Sequence, residues 1–134
     1  MTGRLAILPQ DGAAQPGVAP VAGARDQVEP IPGAPPPDRV LAGDPRFRTW
    51  PYDRTPEGML GTTLKAGRWE ATPGTWRIAY ARWEYMRILS GRCVIRGDDG
   101  SVADLGPGDT FVIEPGFAGT WEVLETMVKD YVMS

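Results

Sequence analysis

An all-β barrel or sandwich is the fold class this chain predicts, and three observations predict it. Turn signals recur at short intervals: Pro73-Gly74, Ser90-Gly91, Gly97-Asp98-Asp99-Gly100, Gly106-Pro107-Gly108-Asp109 and Pro115-Gly116. The segments between them are rich in Val, Ile, Thr, Trp and Tyr, side chains that fit a pleated, half-buried surface. No capped stretch of about 10 or more residues repeats with helical periodicity, so an alternation of strands and helices is disfavoured. At 134 residues and 14.5 kDa the chain is long enough for one core and too short for two.

Residues 1–40 hold 8 of the 14 prolines and none of the 12 aromatic residues. They predict an arm or linker, because such a stretch has little to bury. Within it, Pro30-Ile31-Pro32-Gly33-Ala34-Pro35-Pro36-Pro37 fixes φ repeatedly and removes backbone donors, which favours an extended conformation. Residues 41–134 form the barrel domain. Its strands are expected over Thr75 to Leu89, Cys93 to Arg96, Ser101 to Leu105, Thr110 to Glu114 and Thr120 to Met133. Asp98-Asp99-Gly100 reads as a hairpin turn, with glycine supplying a positive φ and both carboxylates facing water.

Charge is divided along the chain. Residues 44–96 carry ten basic and five acidic side chains, whereas 97–134 carry one basic and eight acidic. In an antiparallel barrel this predicts cross-strand ion pairs on the outer face. The net charge of -3 leaves no basic field to attract nucleic acid. No apolar run approaches the length of about 20 residues that a membrane helix needs, and Leu5-Ala6-Ile7-Leu8 ends at Pro9, short of a signal peptide's apolar segment of about 7–15. Neither nucleic acid nor membrane is expected as a partner. The lone Cys93 has no cysteine to pair with, which suits the cytoplasm.

Two motifs suggest a family. The segment Gly74-Thr75-Trp76-Arg77-Ile78-Ala79-Tyr80-Ala81-Arg82-Trp83-Glu84-Tyr85-Met86-Arg87-Ile88-Leu89-Ser90-Gly91 resembles the first cupin motif, with Glu84 followed by six residues and then Gly91. Gly108 through Trp121, with its Gly108-Asp109 turn, resembles the second, and Trp121-Glu122-Val123 follows in order. Together they are similar to short cupins of the type found in ureidoglycine aminohydrolase and the ethanolamine-utilization cupins, over about residues 38–134. The resemblance implies an RmlC-like jelly-roll barrel, a double-stranded β-helix.

It also implies where a metal would be bound, and there this sequence departs from the pattern. The family's acidic ligand corresponds to Glu84, but its three histidine positions fall on Ile78, Tyr80 and Gly119, and the chain contains no histidine at all. One carboxylate and a phenol are a poor donor set for zinc, iron or manganese. No metal and no other cofactor is therefore expected. The ligand-binding candidates are Trp76, Tyr80, Arg82, Glu84 and Trp121.

Strand alternation places Ile78, Tyr80, Arg82, Glu84, Met86 and Ile88 on one face, provided no bulge intervenes. On that reading Arg82 and Glu84 form either an internal ion pair or the polar floor of a pocket for a small polar or anionic metabolite. Lys129 could also reach Glu84 if it points inward. Glu84, Tyr80 and Lys129 are the candidates for acid–base work, should the protein be an enzyme of the ureidoglycine aminohydrolase or ethanolamine-utilization type. A third reading is a degenerate cupin kept for assembly alone. A homodimer is expected, since an open sheet edge and an aromatic-free arm both gain from a neighbouring subunit. Protein purified without an affinity tag should contain far less than one equivalent of transition metal by elemental analysis; stoichiometric metal lost on Glu84→Ala would refute this.

Overall fold

The computed structural model describes residues 5–8, 29–52 and 64–134. Ten strands form one curled sheet: β1 (Leu5–Leu8), β2 (Ile31–Gly33), β3 (Val40–Gly43), β4 (Phe47–Pro51), β5 (Lys65–Ala71), β6 (Gly74–Ala79), β7 (Glu84–Gly97), β8 (Val102–Leu105), β9 (Thr110–Ile113) and β10 (Ala118–Met133). All pairings among them are antiparallel. A 3-10 turn, Pro37–Arg39, precedes β3. Among the described residues no helix is long and apolar enough to cross a membrane.

Two long strands organise the sheet. β7 and β10 run side by side, and each changes its outer partner halfway along. β10 pairs with β6 through Ala118–Val123 and with β5 through Met127–Met133, while β7 pairs with β9 through Glu84–Arg87 and with β8 through Cys93–Arg96. Such switches turn one continuous sheet into two packed layers, and they require bends. The bend lies at Gly91, where the register against β10 shifts.

Ser90-Gly91, expected as a turn, is therefore a bulge inside a continuous strand. Glycine at φ 84° serves either purpose, and only the pairing on both sides distinguishes them. Across Gly91 the buried positions of β7 change from even (Glu84, Met86, Ile88) to odd (Cys93, Ile95), which keeps both halves facing the core.

The strand expected over Thr75 to Leu89 is interrupted. Tyr80 through Trp83 form a bend, with the Tyr80 N–H donating to the Phe117 carbonyl at 2.8 Å and Gly116 N–H donating to the Tyr80 carbonyl at 2.7 Å. The turn before β10 thus ties down the gap between β6 and β7. Ile78, Met86 and Ile88 face the core as alternation requires, but Arg82 lies in the bend, where alternation does not apply.

Parts of the expected arm add to the same chain's sheet. β1 pairs with β9 and β2 with β4, and Pro35 is buried. Leu5-Ala6-Ile7-Leu8 is a short strand former that the proline count of its surroundings concealed, and Pro32 is tolerated because β2 is an edge strand. Residues 9–28 lie outside the described residues.

The divided charge is realised on the outer face. Arg68–Asp130 at 2.7 Å, Arg77–Asp98 at 2.8 Å, Arg92–Asp104 at 2.8 Å and Arg96–Glu122 at 2.9 Å each join a base from the first half to an acid from the second. In the hairpin turn Gly100 takes φ 90°, Asp99 accepts from the Ser101 N–H and hydroxyl, and Asp98 is held by Arg77 rather than left to water alone.

A Cβ at Gly91 would overlap the Thr126 carbonyl oxygen and approach the Met127 Cα to 2.5 Å, both backbone atoms that cannot turn aside. Gly91→Ala should cost about 2 kcal/mol or more in urea denaturation. A midpoint equal to the parent's would show that β7 does not bend there.

Candidate functional site

The inward faces of β4, β5, β6, β7 and β10 enclose a half-open cavity of about 310 Å³. Its walls are largely aromatic. Phe47 and Trp69 lie 4.8 Å apart between ring centroids, Phe47 and Trp76 5.2 Å, and Trp69 and Trp121 5.7 Å; Trp76 and Trp121 stack at 6.0 Å with 7° between their planes. Register explains the stack: Trp121 stands directly opposite Trp76 on neighbouring strands.

A single charged pair lies inside this aromatic box. Lys129 stands opposite Ile88, and Glu84 stands opposite Met133. Both are 4% exposed, and their side chains meet with Lys129 Nζ donating to Glu84 Oε2 at 2.9 Å. The ammonium also lies 3.0 Å from Met86 Sδ, 4.4 Å from the Trp69 ring centroid and 4.6 Å from that of Trp121. A cation between two indole faces and against a carboxylate is held by Coulomb attraction and ring quadrupoles together.

Two phenols complete the polar end. Burial, then the Glu84 charge and its hydrogen bond, push Tyr80 well above its ordinary value, and burial with the same charge raises Tyr131. Both stay protonated and can donate. Cys93, by contrast, is chemically quiet: burial pushes its thiol up to about 12 against the opposing pull of Lys129. The Trp121 indole N–H is buried beside that sulfur without a well-formed hydrogen bond.

Of the residues singled out in the sequence, Trp76, Tyr80, Glu84, Trp121 and Lys129 line the cavity together. Arg82 is not among its lining residues, so the expected Arg82–Glu84 floor is replaced by Lys129–Glu84. The cause is the bend at Tyr80–Trp83, which breaks the alternation on which that pairing rested. Sequence reasoning missed Phe47, Thr49, Trp69 and Met133. Trp69 carried a signal, since Gly67, Trp69 and Ala71 alternate in the sequence with the charged Arg68 and Glu70, although Glu70 is buried as well.

The residues at the positions where the cupin resemblance implies metal ligands do not fit a metal. Ile78 offers hydrocarbon, Tyr80 a protonated phenol, and Glu84 already faces an ammonium. At Gly119 even a Cβ would collide with the Arg96 carbonyl oxygen, so no side chain can reach inward from there. Among the described residues no group of three or more His, Cys, Asp or Glu is placed to hold an ion.

Because Glu84 depends on its partner, Lys129→Ala should destabilise the protein by about 3–5 kcal/mol, the cost of an uncompensated buried charge. Lys129→Met combined with Glu84→Gln should restore most of that loss in chemical denaturation. A double variant as weak as the single one would show that the pair stabilises the fold beyond mutual compensation.

Comparison with known proteins agrees with the architecture. A DUF861-family protein of unknown function from Pseudomonas syringae pv. tomato superposes with a TM-score of 0.67 at 25% identity, covering 80% of this chain and 45% of its own. The chain thus spans less than half the length of that protein. The Clostridium difficile EutQ protein superposes at 0.57 with 20% identity, covering 66% of this chain and 62% of its own. Ectoine synthase from P. lautus gives 0.56 with 16% identity, covering 66% and 63%. Among curated proteins nothing matches the chain. The sequence profile of the EutQ-like cupin domain matches residues 60–131, more than half of the chain, and with the two motifs, the curled sheet and the inward Glu84 it makes this protein a member of the EutQ-like cupin family.

Proposed function

We propose that this cupin domain binds a small molecule with a flat, largely apolar body and one carbonyl or amide group. The observation that carries the reading is the composition of the cavity: aromatic walls with Lys129, Glu84, Tyr80 and Tyr131 among the lining residues. Pockets of this kind bind through apolar contact and take their specificity from a few placed polar groups. An apolar cavity of about 150 Å³ already accommodates benzene, so about 310 Å³ leaves room for an aromatic ring with a short substituent.

The polar groups narrow the class. Lys129 and the two phenols donate, and Glu84 accepts, which suits a group that both accepts and donates. The single lysine charge in the cavity is already balanced by Glu84, which favours an uncharged carbonyl or amide over a free anion. The open volume supports ligand binding over a role in assembly alone.

Phenylacetamide is a suitable probe. It should raise the melting temperature, with a gain of about 2.7 kcal/mol at one hundred times its dissociation constant. The Lys129→Met, Glu84→Gln protein should lose the shift, while Arg82→Ala should keep it. No shift in the parent from phenylacetamide or from other small aromatic amides and ketones would overturn the reading.

A further inference from the structure

The cavity places a carboxylate, an ammonium and a phenol around one point against an apolar wall. We infer that Glu84 is a base toward the carbon acid of a small aromatic ketone or aldehyde held in this cavity, with Lys129 and Tyr80 receiving the enolate oxygen. The inference rests on the binding reading above and adds a reaction to it.

The geometry supplies each requirement. Glu84 lies beside Lys129 at 2.9 Å and shares a hydrogen bond with Tyr80, so base and oxyanion donors stand within one side chain of each other. In the reaction, the C–H bond next to the carbonyl breaks and its proton passes to a Glu84 carboxylate oxygen. The electron pair moves into the carbonyl and forms an enolate. Lys129 N–H and the Tyr80 O–H then donate to the enolate oxygen, and the proton returns from Glu84 to carbon. Nothing is oxidised or reduced, and no second reactant is consumed.

The surroundings favour this chemistry over nucleophilic attack by Lys129. Lys129 is hydrogen-bonded to Glu84 and seated between two indole faces, so it is placed as a donor to an oxyanion beside the base. The phenols are kept as donors by burial and by Glu84. Cys93 holds its proton too firmly to compete. The charged and titratable groups around Glu84 are thus Lys129, Tyr80 and Tyr131, with Cys93 behind Lys129.

The test is proton exchange into indan-2-one, a flat aromatic ketone, followed by NMR in deuterated water. The parent should exchange its α-protons about 100-fold or more faster than buffer alone, the lower end of general acid–base effects. Glu84→Gln should return to the buffer rate, Lys129→Met should lose about 10-fold or more, and Arg82→Ala should match the parent. If Glu84→Gln does not fold, Tyr80→Phe decides instead: a slowed variant supports the inference, and one that exchanges as fast as the parent overturns it. Exchange at the buffer rate in a parent that phenylacetamide still stabilises would overturn it and leave binding intact. A parent stabilised by neither probe would overturn both.

Discussion

The buried pair of Lys129 and Glu84 is the constraint on which the interior depends. A lone carboxylate inside an aromatic barrel would cost several kcal/mol or take up a proton, and the ammonium at 2.9 Å removes that penalty. The pair exists only because β7 and β10 run antiparallel in one register. Lys129 faces Ile88 and Glu84 faces Met133, so the two side chains approach each other along the strands past Met86. A slip of one residue would send one of them to the outer face. The irregular pairing around Gly91, where β10 advances from Glu125 to Val128 while β7 runs only from Arg92 to Ser90, sets that register, and glycine is needed because the backbone of β10 passes too close for a Cβ.

The same strands set the cavity. At Gly119 the Arg96 carbonyl comes so near that no side chain fits, and this close approach brings Trp121 against Ile95 on one side and Trp76 on the other. The cavity itself is walled by the indole rings of Trp69, Trp76 and Trp121. The cavity is therefore polar at one end and aromatic along its walls, and its electrostatics are those of a neutral ion pair and protonated phenols.

The outer face follows a weaker rule. Each of the four pairs between the basic and acidic halves is partly exposed, so water screens it and its contribution to stability is small. Their value is in direction: Arg68–Asp130 and Arg96–Glu122 favour β10 beside β5 and β7, and Arg92–Asp104 favours β8 beside β7, over pairings in which arginines would face one another.

The sequence by itself determined the strand class, the hairpin at Asp98-Asp99-Gly100, the family, the inward direction of Glu84 and the halves that would pair outside, because alternation, turn chemistry and charge are local or additive properties. Whether Ser90-Gly91 is a turn or a bulge, and whether Tyr80–Trp83 continues a strand, depended on which distant segments hydrogen-bond to those residues. Lys129 rather than Arg82 became the partner of Glu84 for the same reason. Arg82 is two residues away in sequence but lies in a bend tied to Phe117, whereas Lys129 is 45 residues away and is delivered by the neighbouring strand. Trp69 entered the site with β5, whose place beside β10 is likewise a matter of long-range pairing. Side-chain type set what the site could do, and only tertiary register decided which of those side chains met.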